Sequence, residues 1–417
     1  MSFRVRKLDA YRIYLIMSGA TALFFTLVFT VNMVYQAQTI GLTALQLVLV
    51  GTTLEIAVFL FEVPTGVVAD VYSRRLSIII GMALIGAGFM LEGSIPHFEA
   101  VLLCQVLWGI GYTFTSGATQ AWITDEIGED RAGRAFMRGS QVSHLVGLAG
   151  TVVSVGLGSI MLNLPIVLGG ALFIALAVFL ILFMPETGFK PAPAENRSSW
   201  QQMAHTLRGG VRVVRGHPVL LSILGIGLFY GLYSEGLDRL WTKHFLDNFT
   251  FPAFGNFEPV VWIGAISMAA GLLSTGATQW MVKRLDMTSA TSLAKASFLV
   301  SGLLVASLLG FALAGNFLVA VLTIWAINLL RSLLGPLQST WINQGLDSSV
   351  RATVISMSGQ VDALGQIAGG PVVGAIGNVS VRAALAASSL ILSPVLILYM
   401  RVLRRTPAPE MLSGVEA

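Results

Sequence analysis

Gly66-Val-Val-Ala-Asp70-Val-Tyr-Ser-Arg74-Arg75 stands between two long apolar segments of the chain. A carboxylate and two guanidinium groups within one short turn can form an ion-pair latch. The glycine at the start of the stretch lets a neighbouring helix approach closely, because it has no side chain. The stretch therefore predicts a polar turn that joins two apolar helices and fastens their ends.

The composition around this stretch is that of a membrane protein. The chain has 417 residues, of which 55% are hydrophobic and 11% charged, and its mean hydropathy is +0.79. Soluble proteins carry about 25% charged residues, so water cannot be the main solvent for this surface. The single cysteine, Cys104, excludes an internal disulfide and is interpreted as a small buried hydrophobe.

Apolar segments of membrane-spanning length follow one another along the chain. We predict an all-α polytopic membrane protein with twelve transmembrane helices. The first segment shows no cleavage site, so it is predicted to be a retained span rather than a signal peptide. The predicted spans are 11–35, 44–69, 76–95, 100–124, 135–161, 164–184, 218–245, 259–281, 290–314, 317–342, 352–376 and 382–400, and the seventh is expected to break near Gly236.

Lysine and arginine residues collect on one side of the predicted spans, as the positive-inside rule requires of cytoplasmic loops. With the N-terminus inside, the outer loops hold only Lys243 and Arg382. We therefore expect both termini in the cytoplasm. The inner loops and the tail hold Arg74, Arg75, Arg131, Arg134, Arg138, Lys283, Arg284, Arg351, Arg401, Arg404 and Arg405, besides the basic residues of 190–215.

A polar stretch divides the predicted spans into two sets of six. Residues 190–199 are rich in proline and polar side chains and predict a linker. Residues 200–214 alternate apolar and basic side chains, which fits either a basic amphipathic helix on the inner leaflet or an ordinary linker helix. The predicted organisation is an N-terminal six-helix bundle over 1–190, a cytoplasmic linker over 191–217, and a C-terminal six-helix bundle with a short tail over 218–417.

The stretch 66–75 resembles the signature loop between the second and third helices of the major facilitator superfamily. The resemblance extends over the whole chain in the number of spans, the place of the linker and the side that holds the basic residues. It implies two six-helix bundles around a central cavity, a monomer, and transport by alternating access. It also implies that Gly66, Asp70, Arg74 and Arg75 form part of the cytoplasmic gate.

Further segments look like the macrolide- and tetracycline-exporting branch of that superfamily, which implies proton-coupled export of drug-like compounds. Two features depart from such exporters. Gln105 stands where they carry an arginine four residues before Gly109, and the glycine–proline pair is Gly370-Pro371 of span eleven instead of span five. The segments that carry the branch resemblance are Phe61-Glu-Val-Pro-Thr-Gly66, Trp122-Ile-Thr-Asp125-Glu126, Pro185-Glu-Thr187, Glu235-Gly-Leu-Asp238-Arg239-Leu-Trp241 and Arg351-Ala-Thr-Val-Ile-Ser-Met357.

Two carboxylates share one face of the second predicted span. At ~1.5 Å rise per residue, Glu62 lies ~12 Å above Asp70 and Glu55 roughly 22 Å above it. A half-buried carboxylate in a membrane can bind and release a proton. We predict Glu62 as the first proton-coupling residue and Glu55 as the second, and the alternative for Glu62 is a structural role in the bend at Pro64.

Five ionisable residues within predicted spans of the second half are candidates for a functional site. Glu235 and Arg239 are four residues apart and can pair on one helix face, whereas Asp238 points elsewhere, into the cavity or toward span eleven. The height of these three residues in the outer half fits an outer gate as well as a substrate contact. Arg331 and Asp362 both fall near mid-depth, and a pair between them would relieve the desolvation of both. If they pair, protonation of Asp362 would free Arg331 for an anionic substrate group, which makes Asp362 a third proton-coupling candidate.

Aromatic side chains along the predicted cavity could stack on a flat, apolar substrate. At helical spacing such residues more often serve packing or face lipid. His144, in the fifth span, is interpreted as a hydrogen-bonded packing residue rather than a titrating one. The aromatic candidates are Trp108, Tyr112, Phe114, Tyr230 and Tyr233.

The motifs of several other function classes are missing from the sequence. It holds no phosphate-binding loop for ATP, no clustered metal ligands and no nucleophile setting of a hydrolase. An ion gradient is therefore the predicted energy source, and no cofactor or enzymatic activity is expected. The prediction is a secondary transporter of the inner membrane that exports amphipathic drug-like compounds against protons. Its expected partners are a small-molecule substrate, protons and membrane lipids, without nucleic acid. The alternatives are uptake or uniport of a small metabolite, lipid flipping, or a membrane sensor or enzyme without net transport.

Overall fold

The computed structural model describes residues 8–191, 218–253, 257–284, 289–345 and 348–405. All regular structure in these ranges is helical. The amphipathic helix predicted over 200–214 lies outside the described residues, as does nearly all of the predicted linker. The described ranges contain every other element that the sequence predicts.

The first half of the described chain consists of α-helices and two π-helical turns. The π-helical turns are Tyr35–Thr39 and Val68–Tyr72, and each continues the α-helix that precedes it. The α-helices are α1 (Ala10–Phe29), α2 (Asn32–Val34), α3 (Ala44–Val67), α4 (Arg74–Ser94), α5 (Phe98–Thr115), α6 (Ala118–Ile127), α7 (Glu129–Gly158) and α8 (Leu164–Phe183).

The second half is built from longer helices. The expected break near Gly236 is wrong, because α9 runs through it without interruption. A side chain at Gly236 would meet the Oγ of Ser388 at 2.9 Å, so this glycine permits close packing rather than a bend. The helices are α9 (Pro218–Asn248), α10 (Pro259–Arg284), α11 (Ala290–Ala312), α12 (Phe317–Gly345), α13 (Ser348–Val379), α14 (Val381–Leu392) and α15 (Pro394–Arg405).

Among the described residues, eleven helical segments are long and apolar enough to cross a membrane. Several combine consecutive elements, as in Ala10–Thr39, where α1, α2 and the first π-helical turn run together. The helix α13 has 32 residues, which is ample length. It is not among the eleven, because polar residues such as Gln360, Asp362 and Gln366 interrupt its apolar sequence. The structure therefore supports eleven of the twelve predicted spans by length and apolarity together.

The chain divides into two compact units. The first unit contains α1, α2, α3 from Thr53 onward, α4 to α8, and the beginning of α10 up to Gly264. The second unit contains α9, α10 from Ala265 onward, α11 to α15, and the segment Thr43–Thr52 at the start of α3. The boundaries predicted at 190 and 218 stay a prediction.

Small residues set the helix contacts within each unit. In the first unit α4 packs against α5 and α8, and α1 packs against α7 and α8. In the second unit α9 packs along α13, where a side chain at Gly365 would stand 2.6 Å from the Leu228 carbonyl. Glycines let two helix backbones approach closely in a membrane protein. The glycine run of α13 thus places Asp362 beside the charged residues of α9.

Candidate functional site

Four charged side chains of α9 and α12 form two ion pairs in the second unit. The Nε of Arg239 donates to the Oε1 of Glu235 at 2.8 Å, across one turn of α9. Arg331 of α12 donates through both terminal nitrogens to the two oxygens of Asp238, with Nη2 2.9 Å from Oδ2. Bidentate pairs of this kind are among the strongest hydrogen-bonded contacts in proteins. Glu235 and Asp238 of α9 are therefore each held by an arginine.

Asp362 of α13 lies near the second pair but is bonded differently. Its Oδ2 accepts a hydrogen bond from the Nε2 of Gln366, one turn further along α13, at 2.8 Å. The pair considered between Arg331 and Asp362 is wrong, because the structure joins Arg331 to Asp238. The guanidinium fork engages both oxygens of Asp238 at once, which a single-point contact with Asp362 could not match.

The Asp238–Arg331 pair lines two small cavities of the second unit. One cavity of about 230 Å³ is otherwise mostly apolar, with Trp241, Ile266 and Ile327 in its wall. In the other, of about 250 Å³, the guanidinium of Arg331 stands 5.9 Å from the ring centroid of Tyr233. Two carboxylates and one arginine line this second cavity, so its charge sums to one negative. Its walls include Tyr230, Tyr233, Ser234, Asp238, Arg331, Gln338, Asp362 and Gln366.

Hydrogen bonds behind the cavity hold its polar walls in place. The hydroxyl of Tyr230 shares a hydrogen bond of 2.7 Å with the Oγ of Ser301 on α11. The Nε2 of Gln338 donates to the hydroxyl of Tyr399 on α15 at 3.0 Å. Because these bonds tie the lining residues to neighbouring helices, the cavity is organised before a ligand enters.

A second polar cluster lies where α3 passes into α4, next to α6 and the end of α8. Ser73 caps α4, since its Oγ accepts from the Leu76 amide at 2.9 Å. The same Oγ donates to Glu186 at 2.6 Å, and Glu186 also accepts from the Arg75 amide at 2.8 Å. Arg74 bonds to Asp125 of α6, a partner that the sequence did not indicate. The predicted latch residues thus belong to a larger network.

Residues of α6 complete this network. The carboxylate of Glu126 accepts from the Thr187 hydroxyl at 2.9 Å and from the Gly188 amide at 2.7 Å. The Nε1 of Trp122 donates to the Pro185 carbonyl at 2.8 Å. Three segments far apart in sequence therefore meet at one place, around 66–75, 122–126 and 185–187. Gly66, near the end of α3, and Asp70, in the π-helical turn that follows, are half-buried and lead into this network.

Trp108, an aromatic candidate of the first unit, packs against other aromatic side chains. The indole of Trp108 lies 5.0 Å from Phe29 and 5.7 Å from Phe89, measured between ring centroids. The buried Nε1 of Trp108 has no hydrogen-bond partner among the described residues. Tyr112, one turn along α5, is 47% exposed. Trp108 thus belongs to a packed aromatic cluster with one unused donor.

Residues 14–370 match the model of the Major Facilitator Superfamily. The chain belongs to the Major Facilitator Superfamily. It is accordingly an integral, multi-pass membrane transporter, from a family that is generally not enzymatic. In the described residues, no three His, Cys, Asp or Glu side chains are grouped so that they could hold a metal ion.

Other members of the superfamily resemble the chain over most of its length. The uncharacterized MFS-type transporter YxaM of Bacillus subtilis (strain 168) is 24% identical over 340 residues, 80% of either chain. The nucleoside transporter NupG matches with a TM-score of 0.72 at 15% identity, over 94% of this chain and 99% of that chain. A bacterial homologue of the human lysosomal transporter Spinster matches with a TM-score of 0.71 at 14% identity, over 95% and 96%. At these identities the two solved structures show the shared fold.

The two carboxylates of the second predicted span differ in their exposure to solvent. Glu55 is half-buried, whereas Glu62 is exposed, so the expected half-burial of Glu62 is wrong. The Thr65 hydroxyl donates to the carbonyls of Phe61 at 2.8 Å and Glu62 at 3.3 Å, beside Pro64, which cannot donate its own amide. His144 is also exposed, because its face of α7 is not covered, and the packing role expected for it is wrong.

The sequence interpretation missed a buried carboxylate of the first unit. Glu92 lies near the end of α4 and is fully buried, with 0% of its surface exposed. Its carboxylate accepts from Gln36 at 2.7 Å and from Cys104 at 3.1 Å. A signal was present, because an ionisable residue inside an apolar run marks a functional candidate by default.

Proposed function

We propose that this superfamily member exports amphipathic, positively charged compounds in exchange for protons, by alternating access. Transport itself follows from the family, while the substrate class and the proton exchange rest on the charged cavity of the second unit. The observation that carries the proposal is the position of Asp362. It lines the cavity of about 250 Å³, whose arginine is already engaged by Asp238.

Asp362 is the carboxylate best placed to meet a cationic substrate. Its hydrogen bond comes from the neutral amide of Gln366, and it forms no ion pair with another described residue. A charge in a membrane protein is costly unless a partner offsets it, so a cation in the cavity would be stabilised there. The ring of Tyr233, already 5.9 Å from one guanidinium, offers the aromatic contact that organic cations favour.

Exchange for protons follows from the chemistry of one carboxylate. Asp362 offers its negative charge to a cation only when it is ionised, and a proton removes that charge. Substrate and proton therefore compete for the same group, which is the requirement for exchange. Glu62 and Glu55 remain proposed as proton-coupling residues of the first unit.

The cluster around 66–75 supplies the cytoplasmic gate in this proposal. Its ion pair of Arg74 with Asp125 is partly solvated, with side-chain exposures of 19% and 27%. A partly solvated pair is weak enough to break and re-form in each transport cycle. Gly66, Asp70 and Arg75 belong to the same gate, with Glu186 as the acceptor that fixes the start of α4.

The orientation and partners are part of the proposal. We place the protein in the inner membrane with both termini in the cytoplasm, because the basic residues collect on that side. Protons, membrane lipids and a small-molecule substrate are the partners, and one chain is the functional unit. The charges on α9 that are nearer the outer side, Glu235 and Arg239, are assigned to an outer gate.

The test uses inverted membrane vesicles with an acid interior and a pH-sensitive dye. Macrolides, tetracyclines and lipophilic cations are added one at a time. We expect at least one cation to collapse the gradient in wild-type vesicles, and Asp362→Asn to lose the response. Asp247→Asn is the matched control, because Asp247 pairs with Lys243 on α9 away from the cavity. An unchanged response in Asp362→Asn would contradict the exchange role of Asp362.

Uptake of an anionic metabolite is the second candidate, because Arg331 also lines the cavity. It predicts acid-stimulated accumulation of an anion in right-side-out vesicles, and loss of that accumulation in Arg331→Gln. A response to anions with none to cations would replace the first proposal by this one. Movement of a fluorescent phospholipid with neither response would favour lipid flipping.

A further inference from the structure

The buried carboxylate of Glu92 lies at the centre of a chain of hydrogen bonds in the first unit. The Nε2 of Gln36, in the first π-helical turn, donates to Oε1 at 2.7 Å. The thiol of Cys104 on α5 donates to Oε2 at 3.1 Å, and the amide of Gln105 donates to the Cys104 sulfur at 3.9 Å. At most 1% of any of these four residues is exposed.

Two acceptors in this cluster have no hydrogen-bond partner. The Oε1 atoms of Gln36 and Gln105 are buried, and neither receives a hydrogen bond from a described residue. A buried polar atom without a partner costs about 1–3 kcal/mol. Native structures contain few such atoms, and each calls for a physical reason. The cluster as it stands therefore lacks a hydrogen-bond donor for each of these two oxygens.

A proton on Glu92 would supply a donor for one of them, the Oε1 of Gln36. When the carboxyl group is ionised, it accepts from the Gln36 amide and the Cys104 thiol, as the structure shows. When it is protonated, its O–H can donate to the Oε1 of Gln36, provided that the Gln36 amide turns over. The thiol of Cys104 can donate to the remaining carboxyl oxygen in both states. The same four side chains thus accommodate two states that differ by one proton.

We propose that Glu92 is a proton-binding site of the first unit, and that proton uptake turns over the amide of Gln36. Among the described contacts of Glu92, two groups are titratable. They are the Cys104 thiol on α5 and the Tyr35 hydroxyl. The latter donates to the Glu92 carbonyl at 3.1 Å. Directly before α8, the neutral side-chain amide of Asn163 donates to the Gly93 carbonyl at 2.9 Å. The Gln36 amide and the Cys104 thiol are neutral donors, which can bond to either form of the carboxyl group.

The position of Gln36 gives such a switch a route to the rest of the chain. The Gln36 carbonyl accepts from the Leu42 amide at 3.0 Å, which fixes the connection between the π-helical turn and α3. The segment that follows, Thr43–Thr52, belongs to the second unit. Isolated π-helical turns recur at functional sites. A role of this site in transport rests on the proposed proton exchange. Proton binding at Glu92 itself does not depend on that proposal.

The first experiment follows the S–H stretching band of the purified, reconstituted protein by infrared spectroscopy. The chain has one cysteine, so the band reports on Cys104 alone. A thiol that donates to a carboxylate bonds more strongly than one that donates to a neutral acid. Raising the pH from about 5 to about 9 should therefore shift the band to lower frequency, and Glu92→Gln should remove the shift.

Each outcome of this titration supports or overturns a proton-binding site at Glu92. A wild-type band that does not move would overturn the proposal, because the thiol would then have an unchanging partner. A band that disappears rather than shifts would mark ionisation of Cys104 itself and would also overturn it. Glu99→Gln is the matched control, because Glu99 is exposed in the first turn of α5 and its loss should leave the shift intact.

The second experiment connects the site to transport in the inverted vesicles described above. We expect Glu92→Gln to lose proton release while it still binds the substrate cation, and Glu99→Gln to retain both. Normal proton release by Glu92→Gln would overturn a role in coupling. If wild-type vesicles respond to no compound while the S–H band still titrates, the proposed export is wrong and the proton site stands.

Discussion

On α9 of the second unit, Glu235 and Asp238 are each bonded to an arginine, whereas Glu92 of the first unit is bonded to an amide and a thiol. An arginine keeps its positive charge at all physiological pH values and therefore holds its partner ionised. An amide and a thiol carry no charge and can bond to either form of a carboxyl group. The first arrangement suits a fixed contact, and the second suits a group that changes its charge.

The two regions should also respond differently to the loss of a bonding partner. Removing an arginine leaves a carboxylate whose buried charge is no longer offset, which is strongly destabilising. Replacing Glu92 by its neutral isostere removes a charge but keeps the oxygen acceptor. Stability measurements on matched variants can therefore test the comparison directly.

The largest effect is expected for Arg239→Met. Glu235 is only 4% exposed, so its carboxylate would remain buried without its ionic partner. We expect a loss of about 3–5 kcal/mol in the free energy of unfolding, measured by thermal denaturation in detergent. The double variant Arg239→Met with Glu235→Leu should recover most of this loss. A single variant as stable as the double one would show that the pair does not offset the Glu235 charge.

A smaller effect is expected for Arg331→Met. The side chains of Arg331 and Asp238 are 31% and 45% exposed, so water in the cavity can solvate the remaining carboxylate. We expect a loss of about 1–2 kcal/mol together with a loss of transport. The exchange of charges, Asp238→Arg with Arg331→Asp, should restore part of the transport. Absence of any rescue would argue that the two residues act separately.

A still smaller effect on stability is expected for Glu92→Gln. The glutamine side chain has nearly the shape of glutamate, and its oxygen can accept from Gln36 as the carboxylate does. The free energy of unfolding should change by about 1 kcal/mol or less, in the same thermal measurement. A loss as large as that of Arg239→Met would erase the distinction between the two regions.

The smallest effect is expected for Lys243→Met, which tests the same kind of substitution at a single contact within one helix, in place of a bidentate pair between two helices. Lys243 lies 3.1 Å from Asp247, and the side chains are 19% and 40% exposed. Surface pairs of this kind contribute about 0–1 kcal/mol, so the melting temperature should hardly change. A destabilisation as large as that of Arg331→Met would mean that the bidentate geometry of the Asp238 pair does not explain the order of these two variants.

Contacts between close neighbours in sequence could be predicted, and contacts between distant ones could not. The pair of Glu235 and Arg239 follows from a spacing of four residues on one helix. Asp238 and Arg331 are 93 residues apart, and spacing alone left Asp362 as an equally reasonable partner. Gln36 and Glu92 are 56 residues apart, so the sequence offered only an isolated carboxylate in an apolar segment.

The gate region illustrates the same division. The stretch 66–75 indicated both the family and the residues of a polar turn, because the turn is local. Its partner Asp125 lies on α6 and Glu186 lies in the segment after α8, and only the packing of α4 against α6 and α8 brings them to Arg74 and Ser73. The expected burial of Glu62 failed for a related reason, since helix periodicity assigns a face but does not say what covers that face.

The sequence by itself determined that this protein is a helical membrane transporter of the Major Facilitator Superfamily. Apolar length, basic loops and a short signature turn are local properties that every arrangement of the same helices would share. Only the tertiary structure decided that Arg331 engages Asp238, and that an amide and a thiol donate to Glu92. Those choices depend on the approach of helices at their glycines and on distances of about 3 Å between hydrogen-bonded atoms, which a linear pattern does not encode.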